Sequence, residues 1–143
     1  MKITAERSAL LKTLSHVQSV VERRNTIPVL SNVLIKAQDG RLMLVATDLD
    51  IQITDSCEAQ IDTPGSTTVP ASTLHDIVRK LASDQVELEV ADGRMRVVSG
   101  RSRFTVPVLP AEDFPLMAEG EMEHNFALTT ESLQHALKRT RYA

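Results

Sequence analysis

Residues 67–81, TTVPASTLHDIVRKL, read as a short strand running directly into a helix. Leu74, Ile77, Val78 and Leu81 fall at i, i+3, i+4 and i+7 and draw one apolar stripe, whereas Asp76, Arg79 and Lys80 lie off it. One face packs and the other meets water. Moving the window back by 67 positions lays it on the start of the chain: Ile3 falls under Pro70, Leu10 under Ile77, Leu11 under Val78, Leu14 under Leu81 and Lys12 under Arg79. The register slips by one in the strand and holds through the helix. A strand leading into an amphipathic helix with a basic outer face is thus predicted twice, and that repetition organises the chain.

Outward from each copy the order of elements repeats. In the first, Thr4 is a candidate N-cap, Glu6 suits the positive end of the helix, and the helix is expected to reach about Val21 on the stripe Leu10, Leu11, Leu14, Val17, Val20, Val21. Asn25 and Pro28 then break it. A strand is predicted from Val29 to Ala37, a hairpin at Gln38-Asp39-Gly40-Arg41, a return strand from Leu42 to Thr47, and a third from Ile51 toward Ala59. In the second copy Val86, Leu88 and Val90 alternate with Glu87 and Glu89, Ala91-Asp92-Gly93-Arg94 is a second Asp-Gly hairpin, Met95 to Ser99 returns, and Phe104, Val106 and Val108 mark one face of a last strand. Each half reads strand, helix, then three strands. The expected class is α+β: duplicated βαβββ units, 1–65 and 66–109, with two helices side by side on one face of antiparallel sheet.

Leu109 to Glu123 carries Glu112, Asp113, Glu119, Glu121 and Glu123 with no Lys or Arg, and reads as a linker. Beyond it, Leu133, Ala136 and Leu137 begin a third stripe with Lys138-Arg139 as its basic pair, and an offset of 126 places Lys138 under Lys12. The expected division is a first domain at 1–120 and the start of a second at 121–143, within a longer protein.

Composition narrows the function. With 42% hydrophobic and 24% charged residues in 143, the chain has the apolar content of an ordinary globule. Aromatics are 3% and Trp is absent, which argues against a platform that stacks single-stranded bases on rings. The net charge of −3 is unevenly spread. Residues 5–24 carry Arg7, Lys12, Arg23 and Arg24 against Glu6 and Glu22, and residues 71–82 carry Arg79 and Lys80 against Asp76. Residues 25–70 carry only Lys36 and Arg41 against Asp39, Asp48, Asp50, Asp55, Glu58 and Asp62. Cationic helices and acidic strands are what phosphate contact on one face requires. A lone Cys57 excludes an intrachain disulfide and a cysteine zinc site, and fits a reducing compartment. No run approaches 18 apolar residues, and the N-terminus lacks the core of a signal peptide; a cytoplasmic location without membrane contact is expected.

MKITAERSALLK, TIPVLSNVLI, TDLDIQI, TTVPA, and SGRSRF followed by LPAEDFP, in this order, resemble the first domain of the bacterial DNA polymerase III β subunit family, the sliding clamps; FALTTESLQHALKRT is similar to the opening of their second domain. The resemblance implies the DNA-clamp fold and a homodimeric ring of three such domains per chain. Helices line a hole around duplex DNA, read without sequence preference. It further implies tethering of polymerase III subunits, clamp loader and repair partners, at a cleft between the second and third domains, and no catalysis or cofactor. Arg24 matches the DNA-contacting arginine at the end of the first helix. Lys12, Arg23, Arg79, Lys80, Lys138 and Arg139 join it by helix face and repeat position. Arg94, Arg101 and Arg103 match positions at the head-to-tail subunit joint, with Ile77 and Leu81 on the nearby helix; Thr73 and His75 depart from the more basic and aromatic residues of that helix.

The residues alone leave other readings open. Each arginine can be a solvated surface charge. Asp48, Asp50 and Asp55 could offer oxygen ligands to Mg²⁺ in a phosphoesterase, although alternate strand residues diverge and no glycine-rich phosphate loop accompanies them. A purely structural dimerisation domain is a third possibility. His16, His75, His124 and His135 show no metal-ligand spacing, and Ser99-Gly100-Arg101-Ser102 fits a strand turn.

Overall fold

The computed structural model describes residues 1–22, 26–118, 120 and 122–142. Eleven regular elements follow the chain: β1 (Lys2–Glu6), α1 (Arg7–Val17), β2 (Asn32–Gln38), β3 (Arg41–Thr47), β4 (Gln52–Thr63), β5 (Gly65–Pro70), α2 (Ala71–Lys80), β6 (Gln85–Ala91), β7 (Arg94–Ser99), β8 (Ser102–Pro107) and α3 (Thr130–Thr140). The strands form an antiparallel sheet in the order β5-β2-β3-β4-β1-β6-β7-β8. α1 and α2 lie against its inner face. Leu10, Leu14 and Val17 of α1 and Leu74 and Val78 of α2 meet Val33, Ile35, Leu42, Leu44, Val86, Leu88, Met95 and Val97 in one dry core. Burial of each such side chain contributes roughly 1.5–3 kcal/mol.

The turns follow their residues. Asp39-Gly40 and Asp92-Gly93 have φ of 52° and 74°, and 52° and 71°, the doubly positive pair of a type I′ hairpin. At the β7–β8 turn Gly100 alone is positive, at 57°. β4 serves two neighbours in succession: Gln52 to Glu58 pairs with β3, and Ala59 to Thr63 with β1.

Three local expectations are corrected. Thr4 lies inside β1 and caps nothing; α1 starts at Arg7 with Glu6 in the N-cap position, where its carboxylate accepts from the Ser8 hydroxyl. The α-helix ends at Val17 and tightens into a 3-10 turn at Gln18–Val20, as Ser19 Oγ donates to the His16 carbonyl at 2.9 Å. Val29 to Ser31 is a 3-10 turn rather than strand, because Pro28 presets its first position.

The repeat is present, at a different register. Pairing by burial sets Leu10 against Leu74, Leu14 against Val78 and Val17 against Leu81, an offset of 64 rather than 67. A helical stripe nearly superimposes on itself after three residues, so the helix alone could not distinguish the two. Lys12 therefore corresponds to Asp76, not to Arg79. The hairpins correspond at an offset of 53, because Gln18 to Ser31 follows α1 where only Leu81 to Asp84 follows α2.

The first strand of each half also pairs with a strand of the other. β1, beside β4 on one side, lies beside β6 on the other, with Ile3 opposite Leu88 and Ala5 opposite Val86. Reciprocally, β5 lies beside β2, with Thr67 opposite Ile35 and Val69 opposite Val33. Among the described residues, β8 and the Gln52 to Glu58 part of β4 pair along one side only, and β5 has on its far side the single Thr68–Leu109 bridge.

The acidic segment after β8 begins as structured chain. Ala111–Asp113 forms a 3-10 turn, and Phe114, 5% exposed, packs on Val29, Leu34 and Val45 on the outer face of the sheet. Further on, Met117 N donates to Gln52 Oε1 at 3.0 Å.

Candidate functional site

Burying Leu10, Thr13, Leu14 and Val17 leaves Ser8, Lys12, Ser15, His16 and Ser19 exposed on α1. On α2 the exposed residues are Thr73, Arg79 and Lys80, the last two in the final turn where a helix favours cations. Ser15 Oγ and His75 Nε2, 3.1 Å apart, tie the two helices together. Arg79 Nη2 lies 3.5 Å from Asp76 Oδ1, so part of its charge is answered within its own helix. Among the described residues Lys12 makes no ion pair. Arg23 and Arg24 lie outside the described residues. Lys138 and Arg139 are exposed in the last turn of α3, none of whose residues is buried.

His16 reaches across to β4, with Nδ1 2.7 Å from Asp55 Oδ2. That bond holds the Asp55 carboxyl below the usual carboxylate range, helped by the Ser56 N–H on its other oxygen at 2.8 Å and by the nearby Lys12 charge. By the corrected register Ser15 and His16 of α1 stand where α2 has Arg79 and Lys80. A groove of about 1300 Å³ runs beside α1, bordered by Lys12, Thr13, His16, Arg41, Asp55 and Glu58. At its floor the Cys57 thiol is buried and its pKa raised by that burial, which makes it a poor nucleophile.

The second surface is the edge formed by α2 and β8. Ile77 is half-buried on the core, and Leu81 is almost covered at the end of α2. Register with β7 puts Phe104 and Val106 on the helix side of β8, opposite Val97 and Met95, while Arg103 and Arg94 share the outer side with Val98 and Pro107. Arg101 sits in the β7–β8 turn, whose Gly100 lies against Ser83 just past the end of α2. Arg96 is occupied by Glu89, whereas Arg94 and Arg103 have no ion pair among the described residues. Phe104 is 41% exposed although it lies on the inner side, because β8 has no further strand to cover it.

The sequence expectation omits His16 and Phe104 from these surfaces. Alternation placed Phe104 with Val106 and Val108 on one face of the last strand, and only the position of β8 at the edge reveals its exposed ring. His16 lacked a visible partner because Asp55 is 39 residues away.

The phosphoesterase reading finds no support. Asp48 Oδ1 accepts from Asp50 N at 3.0 Å and Ile51 N at 2.7 Å, closing the turn between β3 and β4. Thr47 Oγ1 completes it, donating to the Ile51 carbonyl and accepting from Leu49 N. The turn holds Leu49 at φ 82°, an uncommon conformation for a bulky residue. Asp55 is engaged with His16 instead. Among the described residues no helix is long and apolar enough to cross a membrane.

Comparison with known proteins agrees with this geometry. The sequence profile of the DNA polymerase III beta subunit, N-terminal domain, matches residues 1–118. A beta sliding clamp of Caulobacter vibrioides is 52% identical over 146 residues, covering all of this chain and 39% of the relative. One of Vibrio harveyi is 38% identical over 145 residues, with both sequences covered in full. Among solved structures, the DNA polymerase sliding clamp of Caulobacter crescentus superposes with a TM-score of 0.95 at 53% identity, over 100% of this chain and 40% of that one. The DNA polymerase III subunit beta of Pseudomonas aeruginosa gives 0.92 at 40% identity, over 97% and 38%. The chain thus spans about two-fifths of the length of the Caulobacter and Pseudomonas relatives. With the cross-paired double βαβββ unit, the paired helices and the profile match in agreement, the chain belongs to the DNA polymerase III β subunit family, the sliding clamps.

Proposed function

We propose that this chain is the first domain, with the start of the second, of a DNA polymerase processivity factor. The full-length protein forms a closed ring around duplex DNA and tethers the replicative polymerase in the cytoplasm without catalysing a reaction. The observation that carries the reading is the pairing of a family match over residues 1–118 with a domain that leaves two strand edges unpaired, that of β8 and that of the Gln52 to Glu58 part of β4. Such a unit can be repeated head to tail, and a heterologous contact whose rotation closes makes a ring. Lys12, Arg79 and Lys80 on the helix layer, with Arg23 and Arg24 beyond α1 and Lys138 and Arg139 on α3, supply the positive potential. A ring that slides needs charge toward phosphates without base-specific hydrogen bonds, which would hold it in one place. The Phe104 edge is our choice for the joint to a second subunit, with Ile77 and Leu81 behind it and Arg94, Arg101 and Arg103 meeting acidic groups of the partner.

Retention on DNA tests the reading. The full-length protein is expected to stay on closed circular duplex DNA and to be lost when the circle is cut once. Equal retention on both forms would exclude encirclement.

A further inference from the structure

The exposed stripe of α1 has an unexpected cation when compared with α2 in the corrected register. Ser8, Lys12, Ser15, His16 and Ser19 correspond to Ser72, Asp76, Arg79, Lys80 and Ser83, so the place of Lys80 is taken by His16. The imidazole is about half exposed, 55%, and its Nδ1 is anchored 2.7 Å from Asp55 Oδ2. A carboxylate accepts, so Nδ1 carries a proton, and Nε2 is left without a partner among the described residues. In the neutral ring Nε2 is a lone pair, which repels a phosphate oxygen. In the imidazolium it is an N–H donor.

Along the groove His16 shares with β1, β4 and the β2–β3 hairpin stand the carboxylates of Glu6, Asp39, Asp55 and Glu58 against the cations Lys12 and Arg41; from α2, His75 approaches only as far as Ser15. Four carboxylates oppose two cations.

We propose that His16 is a further DNA-phosphate contact of this domain, made by its imidazolium Nε2–H and aimed by Asp55. The inference rests on the reading of a ring around duplex DNA. The contact needs a proton on Nε2, so affinity rises as pH falls.

The test uses the full-length protein and a duplex of arbitrary sequence, with binding followed by fluorescence anisotropy from about pH 8 down to about pH 5.5. Wild type is expected to bind roughly 3- to 10-fold more tightly at the acid end, since one unit of pKa change on binding is a factor of ten. His16→Gln loses that rise, and at about pH 6 its slope of log affinity on log salt is smaller by about one. His16→Lys keeps the tighter binding at pH 8. A rise that persists in His16→Gln, or a wild type whose salt-sensitive binding is flat with pH, overturns the assignment and leaves the ring intact. Failure of all three proteins to bind the duplex at any pH overturns this inference, whereas the ring reading is overturned separately by equal retention on closed and cut circles.

Discussion

Thr68 and Leu109 exchange both of their backbone hydrogen bonds, at 3.0 Å each. The bridge is the counterpart of the pairing of Thr4 with Gln60. Cys57 opposite Leu42 matches Val106 opposite Met95, and Gln60 and Leu109 each lie three residues further on. Each half therefore fastens its own first strand to the end of its own last strand.

Removing that fastening has a measurable cost. Leu109→Pro deletes the N–H that Thr68 O accepts, and Thr68 is fully buried. Leaving a buried carbonyl unpaired costs about 1–3 kcal/mol. Urea unfolding is expected to show that loss, with a larger effect than Gln60→Ala at the equivalent place, where the backbone donor is retained.

At the α2–β8 edge, Phe104→Ser is expected to weaken dimerisation of the full-length protein by roughly 30-fold or more, the loss typical of a central aromatic contact. Sedimentation velocity across a dilution series reads it directly. The stability of the domain should change little, because the ring is already 41% exposed in the single chain.

The Asp48 turn predicts opposite outcomes for adjacent residues. Asp48→Ala abandons two backbone N–H groups and should lower stability by about 1–2 kcal/mol. Leu49→Gly removes the penalty of φ 82° and should be neutral or stabilising by up to about 1 kcal/mol. Thermal denaturation of the two variants beside wild type separates these signs.

Asp55 is a carboxylate held below its ordinary range by His16. Its contribution is present above the unfolded value near 3.8 and is lost as pH falls through the lower folded value. Wild type should therefore exceed Asp55→Asn in stability at about pH 5.5, by no more than about 1 kcal/mol for a partly exposed pair, and the two should converge toward pH 2. Urea midpoints at three pH values follow the convergence.

Much of this fold was legible in the chain because its signals are local. Asp39-Gly40 and Asp92-Gly93 dictate their hairpins through φ, and alternation at Val86, Leu88 and Val90 dictates which side of β6 is buried. The repeat register was not, because Leu10, Leu11 and Leu14 match the all-apolar Ile77, Val78 and Leu81 better than they match Leu74, His75 and Val78; only burial reveals the second register. Strand pairing between the halves and the His16–Asp55 contact depend on residues far apart in sequence, for which neither periodicity nor turn chemistry carries information. Phe114 shows the same limit: it sits among acidic and proline residues, and the sheet surface it covers belongs to β2 and β3. Lys12, Arg79 and Lys80 were legible as exposed cations, since each falls off an apolar stripe.

The cross-pairing of first strands also sets a schedule for synthesis. Lys2–Glu6 finds its partners in Ala59 to Thr63 and in Gln85–Ala91, so β1 is synthesised well before the strands that satisfy it. At translation rates of roughly 5–20 residues per second the N-terminal strand waits on the order of 10 s for β6 to appear. During that interval Ile3 and the stripe of α1 are exposed together, a window in which a nascent-chain chaperone has something to hold and a neighbouring nascent copy has something to steal.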